Sequence, residues 1–149
     1  MGPTPIEPTP TMPRTPLPAL VRVAGRSMQP TLEPGDLLLT LPVAGRRGDL
    51  VVLRHASAAR YVKRVVAVAG DVVEMEAGRL RVNGEASDLR PPVEGALVAR
   101  WEVPPGTVFV VGDNQLASDD SRTWTAPFVP VKATRRALRL HGLSPASSR

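Results

Sequence analysis

The chain has 149 residues, 42% of them apolar but only 3% aromatic, and a formal net charge of +5. That length suits one domain, with a folded part of roughly 120 residues whose core must be built from Val, Leu and Ala rather than rings. The absence of cysteine excludes disulfides, thiolate zinc sites and a cysteine nucleophile, and two histidines leave little for a metal site.

Seventeen arginines and two lysines carry the positive charge. A GC-rich coding sequence accounts for that bias; a basic face for anionic lipid or nucleic acid is the functional rival. Basic residues are not interleaved with aromatics, so no nucleic-acid partner is expected. No window approaches the roughly 18 consecutive apolar residues of a membrane span. Nor is there a secretory signal of charged start, apolar middle and small-residue cleavage site, so the chain reads as soluble or peripherally attached.

In chain order, residues 1–18 hold seven prolines. Proline lacks an amide donor and fixes φ, so residues 1–19 are expected to be an extended, disordered leader. The apolar run Leu20–Ala24 and the run Leu37–Leu41 read as strands on either side of a turn-rich stretch, residues 25–36, GRSMQPTLEPGD. That stretch puts Ser27 on a sharp connection where a hydroxyl can face a groove. Further strands are expected over Asp49–Arg54, Tyr61–Val68, Val72–Glu76 and Leu80–Val82, the last two forming a hairpin about Gly78. Residues 85–100 read as loop. Trp101–Val103 and Thr107–Val111 flank the turn Pro104-Pro105-Gly106, and Arg135–Leu140 reads as a last strand or a short helix. Short strands and turns at this spacing predict a mainly β fold, coiled antiparallel sheets forming a compact barrel or sandwich. The catalytic domain is expected over residues 20–142, with a flexible tail at 143–149.

A serine hydroxyl is a poor nucleophile until a neighbouring base takes its proton. His55 adjoins a small-residue loop and His141 lies near the C-terminal end; both read as exposed. Lys132 reads as a solvated charge. Lys63 differs, because the period of two in Tyr61–Val68 puts it on one face with Val65 and Ala67 and puts Arg64 on the other with Val62 and Val66. Desolvation there would disfavour its charged form and make it a candidate base. A lysine snorkelling from a sheet edge to water is the competing reading. The third stretch, Gly112–Arg122, is rich in carboxylates but lacks the alternating spacing of calcium loops, so no metal is expected. Its structural reading is a loop held by side-chain-to-backbone hydrogen bonds and an Asp120–Arg122 pair.

Together and in this order, these stretches resemble the type I signal peptidases, Ser–Lys peptidases that remove leader peptides from exported proteins. The resemblance rests on Ser27-Met28-Gln29-Pro30-Thr31-Leu32 with Gly35-Asp36, on Arg47–Val52, on Tyr61–Val65 with Gly70-Asp71, and on Gly112-Asp113-Asn114 with Ser118, Asp120, Ser121 and Arg122. It spans about residues 20–140. It implies Ser27 as nucleophile, Lys63 as general base and Ser118 as the group that orients the lysine amine. Asp120 would pair with Arg122 and, as a second partner, with Arg64, while Asp113 and Asn114 would shape the loop. The Ser27 N–H would serve the oxyanion. Some relatives carry a hydroxyl residue two positions before the nucleophile; Gly25 stands there, which implies a hole made by backbone alone.

The resemblance further implies extended substrates cut after small residues of A-x-A type, no cofactor, and a place at the membrane on its extracytoplasmic side. The family usually carries N-terminal membrane helices, whereas this chain has the proline-rich leader. Apolar surface near Met28 and Leu32 is one expected means of attachment. The rival functions are a self-cleaving repressor or mutagenesis-type protein, which resembles this fold, a peptidase specialised for pilin or conjugation substrates, and a degenerate binding module that holds leaders without cutting them.

Overall fold

The structure, a computed structural model, describes residues 17–55, 60–76, 78–86 and 99–141. The proline-rich stretch up to residue 16 and the tail from 142 lie outside the described residues, as do 87–98 of the expected loop. Eleven strands form among the described residues. They are β1 (Ala19–Arg22), β2 (Leu37–Leu41), β3 (Leu50–Arg54), β4 (Arg60–Val68), β5 (Val72–Glu76), β6 (Arg79–Val82), β7 (Glu85–Ala86), β8 (Ala99–Glu102), β9 (Thr107–Val111), β10 (Val129–Pro130) and β11 (Thr134–Arg139). The segment left open between strand and helix is therefore strand β11, which pairs with both β2 and β3.

Seven strands make one curled antiparallel sheet in the order β1-β2-β11-β3-β4-β9-β10, and four make a second in the order β7-β6-β5-β8. The mainly β, coiled antiparallel architecture is the one expected. Its strands form where β-branched residues alternate with polar ones, because a pleated strand sends successive side chains to opposite faces. β4 shows this plainly: Lys63, Val65 and Ala67 are buried, while Val62, Arg64, Val66 and Val68 are half-buried.

Three apolar clusters hold the fold. Ala67, Val73, Leu80, Val82, Val103, Phe109 and Val111 join the small sheet to β4 and β9. Val51, Leu53, Val65, Val108, Val110 and Val129 fill the curl of the large sheet. Met28 and Leu32 pack with Val23, Leu38, Val52 and Ala137, pinning residues 25–36 against β2, β3 and β11. Met28 is 2% exposed and Leu32 1%, so the apolar surface expected there does not exist. The stretch folds back onto the sheet, and burying two large apolar side chains is worth roughly 3–6 kcal/mol.

Candidate active site

Residues 25–36 are held as a fixed turn by backbone bonds at their base: Val23 donates to the Asp36 carbonyl at 2.8 Å and Gly35 to the Val23 carbonyl at 2.8 Å. The Asp36 carboxylate accepts from the Glu33 amide at 2.9 Å and pairs with Arg139 of β11 at 3.1 Å. Gly25 has φ +77°, a left-handed conformation that disfavours side chains, and a Cβ there would meet nothing within 4 Å. Backbone conformation, rather than crowding, calls for glycine at that turn.

The opposite wall comes from the end of β9. Asn114 donates its amide to the Ser27 carbonyl at 2.8 Å and its side-chain amide to the Arg26 carbonyl at 3.0 Å. Gly112 lies between Ser27 and Ser118: a Cβ added there would collide with the Ser118 side chain and come within 2.7 Å of the Ser27 carbonyl oxygen. Gly112 carries part of the family resemblance without an assigned role, although a glycine opening an Asp-Asn loop at a strand end signals close backbone approach.

Lys63 completes the group. Its Nζ donates to Ser118 Oγ at 3.0 Å, and Ser118 Oγ donates in turn to Asp120 Oδ2 at 2.7 Å. Asp120 is wholly buried and also accepts from the Gly112 amide at 3.0 Å and from Arg122 Nε at 2.8 Å. Lys63 itself is 2% exposed. Desolvation lowers its pKa from the ordinary lysine value; the nearby Asp120 and Asp119 oppose the shift and Arg122 adds to it. The burial rules out the snorkelling alternative.

Arg64, one residue on, points the other way. Its Nε and Nη2 donate to the two oxygens of Asp113 at 2.8 and 2.7 Å, and Nη1 donates to the Gly48 carbonyl at 2.6 Å. Asp113, not Asp120, is thus the partner of Arg64. The reason is register: Arg64 faces Val111 across β4 and β9, two residues short of Asp113, whereas Asp120 sits with Ser118 beside Lys63. Asp113 also accepts from Thr31 Oγ1 at 2.6 Å, which ties the serine turn to the lysine strand. Thr31 is a site residue that the sequence reading quotes but leaves without a role.

A groove of about 350 Å³ runs to Ser27, lined by Leu20 to Ala24, Met28 and Arg60 to Val62. The Tyr61 ring stands 5.8 Å from Lys63 Nζ and packs at a tilt on Trp124, centroids 5.7 Å apart. Trp124 is stacked on His55 at 3.9 Å. His55 is therefore a half-buried packing residue rather than an exposed one, because a loop some seventy positions away covers it. No group of three or more potential metal ligands occurs among the described residues.

The sequence pattern of the family described as signal peptidase, peptidase S26, matches residues 11–135. The chain belongs to that signal peptidase family. It is 38% identical over 121 residues to a signal peptidase I of Bacillus caldolyticus, covering 67% of this chain and 66% of that protein. It is 31% identical to one from Pseudomonas fluorescens, covering 73% of this chain and 56% of the relative. The chain thus spans between half and two thirds of the length of these relatives. A signal peptidase I structure from Enterococcus faecalis shares the fold, with a TM-score of 0.53 at 24% identity over 63% of this chain and 96% of the other.

Proposed function

We propose that this chain is a serine endopeptidase that cleaves signal peptides from exported proteins, with Ser27 as nucleophile and Lys63 as general base. The observation that carries the reading is the chain from Lys63 through Ser118 to Asp120, packed against the Ser27 backbone across Gly112. The Ser118 proton is committed to Asp120, so towards Lys63 the hydroxyl can only accept. A neutral Lys63 amine then spends one N–H on Ser118, which orients the amine and leaves its lone pair to receive the Ser27 proton. Burial keeps that amine from holding its proton as firmly as a solvated lysine.

Attack by Ser27 Oγ on the scissile carbonyl forms the C–O bond of a tetrahedral intermediate, and the proton passes to Lys63. The Ser27 N–H faces the developing oxyanion, without a side-chain donor at Gly25. Collapse expels the new amino terminus, which takes the proton from Lys63, and water repeats the sequence on the acyl-enzyme. β1 is an edge strand of the large sheet, and its side of the groove suits an extended peptide added by main-chain pairing. Val21, Val23, Ala24 and Val62 in its lining suit small apolar side chains beside the cleaved bond. In this reading the enzyme works at the extracytoplasmic membrane surface, as the family resemblance implies; no helix among the described residues is long and apolar enough to cross a bilayer.

A leader peptide with an A-x-A site should be cut by the wild-type chain and not by Ser27→Ala or Lys63→Ala. Activity should rise with pH as Lys63 loses its proton, with the limb below the ordinary lysine value of about 10.4. Full activity in either variant would refute the assignment. Loss of the chain's own N-terminal residues on incubation alone, with no cutting of added peptide, would favour the self-cleaving reading instead.

A further inference from the structure

Arg54 ends β3 and Arg60 begins β4, and the register of the two strands sets them directly opposite each other. Both are exposed. Like charges facing each other across an antiparallel pair repel, a cost that a carboxylate in either place would turn into a gain. The four residues that connect them are Ala56-Ser57-Ala58-Ala59, which bring no carboxylate. Neither arginine forms a salt bridge among the described residues. Arg60 also lines the groove that reaches Ser27, as does Arg22 from the β1 side. Arg22 donates through Nη1 to the Gly35 carbonyl at 3.3 Å and is exposed. Three arginines thus stand at this groove, and its lining holds no carboxylate.

An arginine fork holds a carboxylate through paired, charge-assisted N–H···O bonds, and a carboxylate seated between Arg54 and Arg60 would relieve their repulsion. β1 leads towards Ser27 and β4 towards Lys63, so the groove lies ahead of the reacting groups along both walls. Arg60 precedes Lys63 by three positions on one strand, a run of roughly 10 Å at the rise of extended chain. An extended leader spanning that distance has passed the small residues next to the cleaved bond. From this we infer that the enzyme selects leaders bearing an aspartate or glutamate about four to six residues before that bond, its carboxylate held by Arg54 and Arg60 and attracted by Arg22. This deepens the peptidase reading and rests on it for the presence of a leader in the groove.

The test compares, without lipid, peptides with an A-x-A site that differ only in Glu, Gln or Lys at these upstream positions, and a second set with the same changes downstream of the cleaved bond. For the upstream set kcat/KM is expected to rank Glu above Gln above Lys. Glu should lead Gln by about fivefold at low salt, with the difference in KM and shrinking as salt rises. Arg54→Gln combined with Arg60→Gln should abolish the preference, and Arg60→Glu should turn it towards Lys. Each ratio is read within one enzyme, so a general loss of activity or fold mimics neither result. Equal rates on the three upstream peptides, a preference that salt does not weaken or that survives the double variant, or a preference for downstream Glu alone would each overturn the inference. If wild type cuts none of the peptides, the peptidase reading fails by itself, and fluorescence anisotropy of the labelled upstream set on Ser27→Ala protein decides the inference. Tighter binding of the Glu peptide than of the Gln peptide supports it, and equal binding overturns it.

Discussion

Lys63 is a cationic residue placed where the fold disfavours its charge, and that has a consequence separable from activity. Its folded pKa is depressed by burial, so between that value and the unfolded value the unfolded chain binds a proton that the folded one does not. Stability contributed by this group must then rise with pH through that window and reach its maximum near about 10.4, the unfolded value. Below the depressed pKa the full cost of burying the cation is present. Lys63→Met removes the titration, so thermal melts should show wild type gaining on the variant as pH increases; a constant difference across pH would contradict the burial argument. Gly112 makes the complementary point, since the site needs an absence there. Adding one methyl group would drive Ser118 away from Lys63, although nothing in the side-chain chemistry of glycine announces this.

At the scale of elements, the site joins the serine turn, strand β4 and the loop after β9, which are far apart in sequence. Asp113 is the clasp, receiving Arg64 from β4 and Thr31 from the serine turn. The pairing with Asp113 holds Arg64 firmly in its charged form. Asp113→Asn weakens both contacts at once, and misplacement of a reacting group by even an ångström costs on the order of 100-fold in rate. The expected outcome is a fall of that order in kcat with KM for a leader peptide little changed. Thr31→Val should lose less, and the double variant should lose less than the product of the two, because both act through one carboxylate. Strictly multiplicative losses would show that the clasp does not join the two elements.

Across the whole molecule, the cluster about Phe109 and Trp101 joins the small sheet to the large one, so the two should unfold as a unit. The two tryptophans of the chain report on different places, Trp101 on the small sheet and Trp124 beside Tyr61 and His55. Urea melts followed separately in Trp101→Phe and Trp124→Phe should have coincident midpoints, once shifted for each variant's own stability by circular dichroism. Phe109→Ala should destabilise both reporters together by about 3–5 kcal/mol. Separate transitions would mean that the sheets are independent bodies.

What the sequence determined by itself was the local order of the fold and the chemistry at its disposal. Alternation in Tyr61–Val68 marked a strand with Lys63 on its apolar side, and glycine and proline marked the turn bearing Ser27, because both signals arise within a few residues. Tertiary structure decided the partners. That Arg64 takes Asp113 rather than Asp120, that Met28 and Leu32 are buried, and that His55 lies under Trp124 all depend on register and on loops meeting across the sheet. A residue type carries its own charge and shape along the chain, but which residue it meets depends on how distant strands align and where the chain curls.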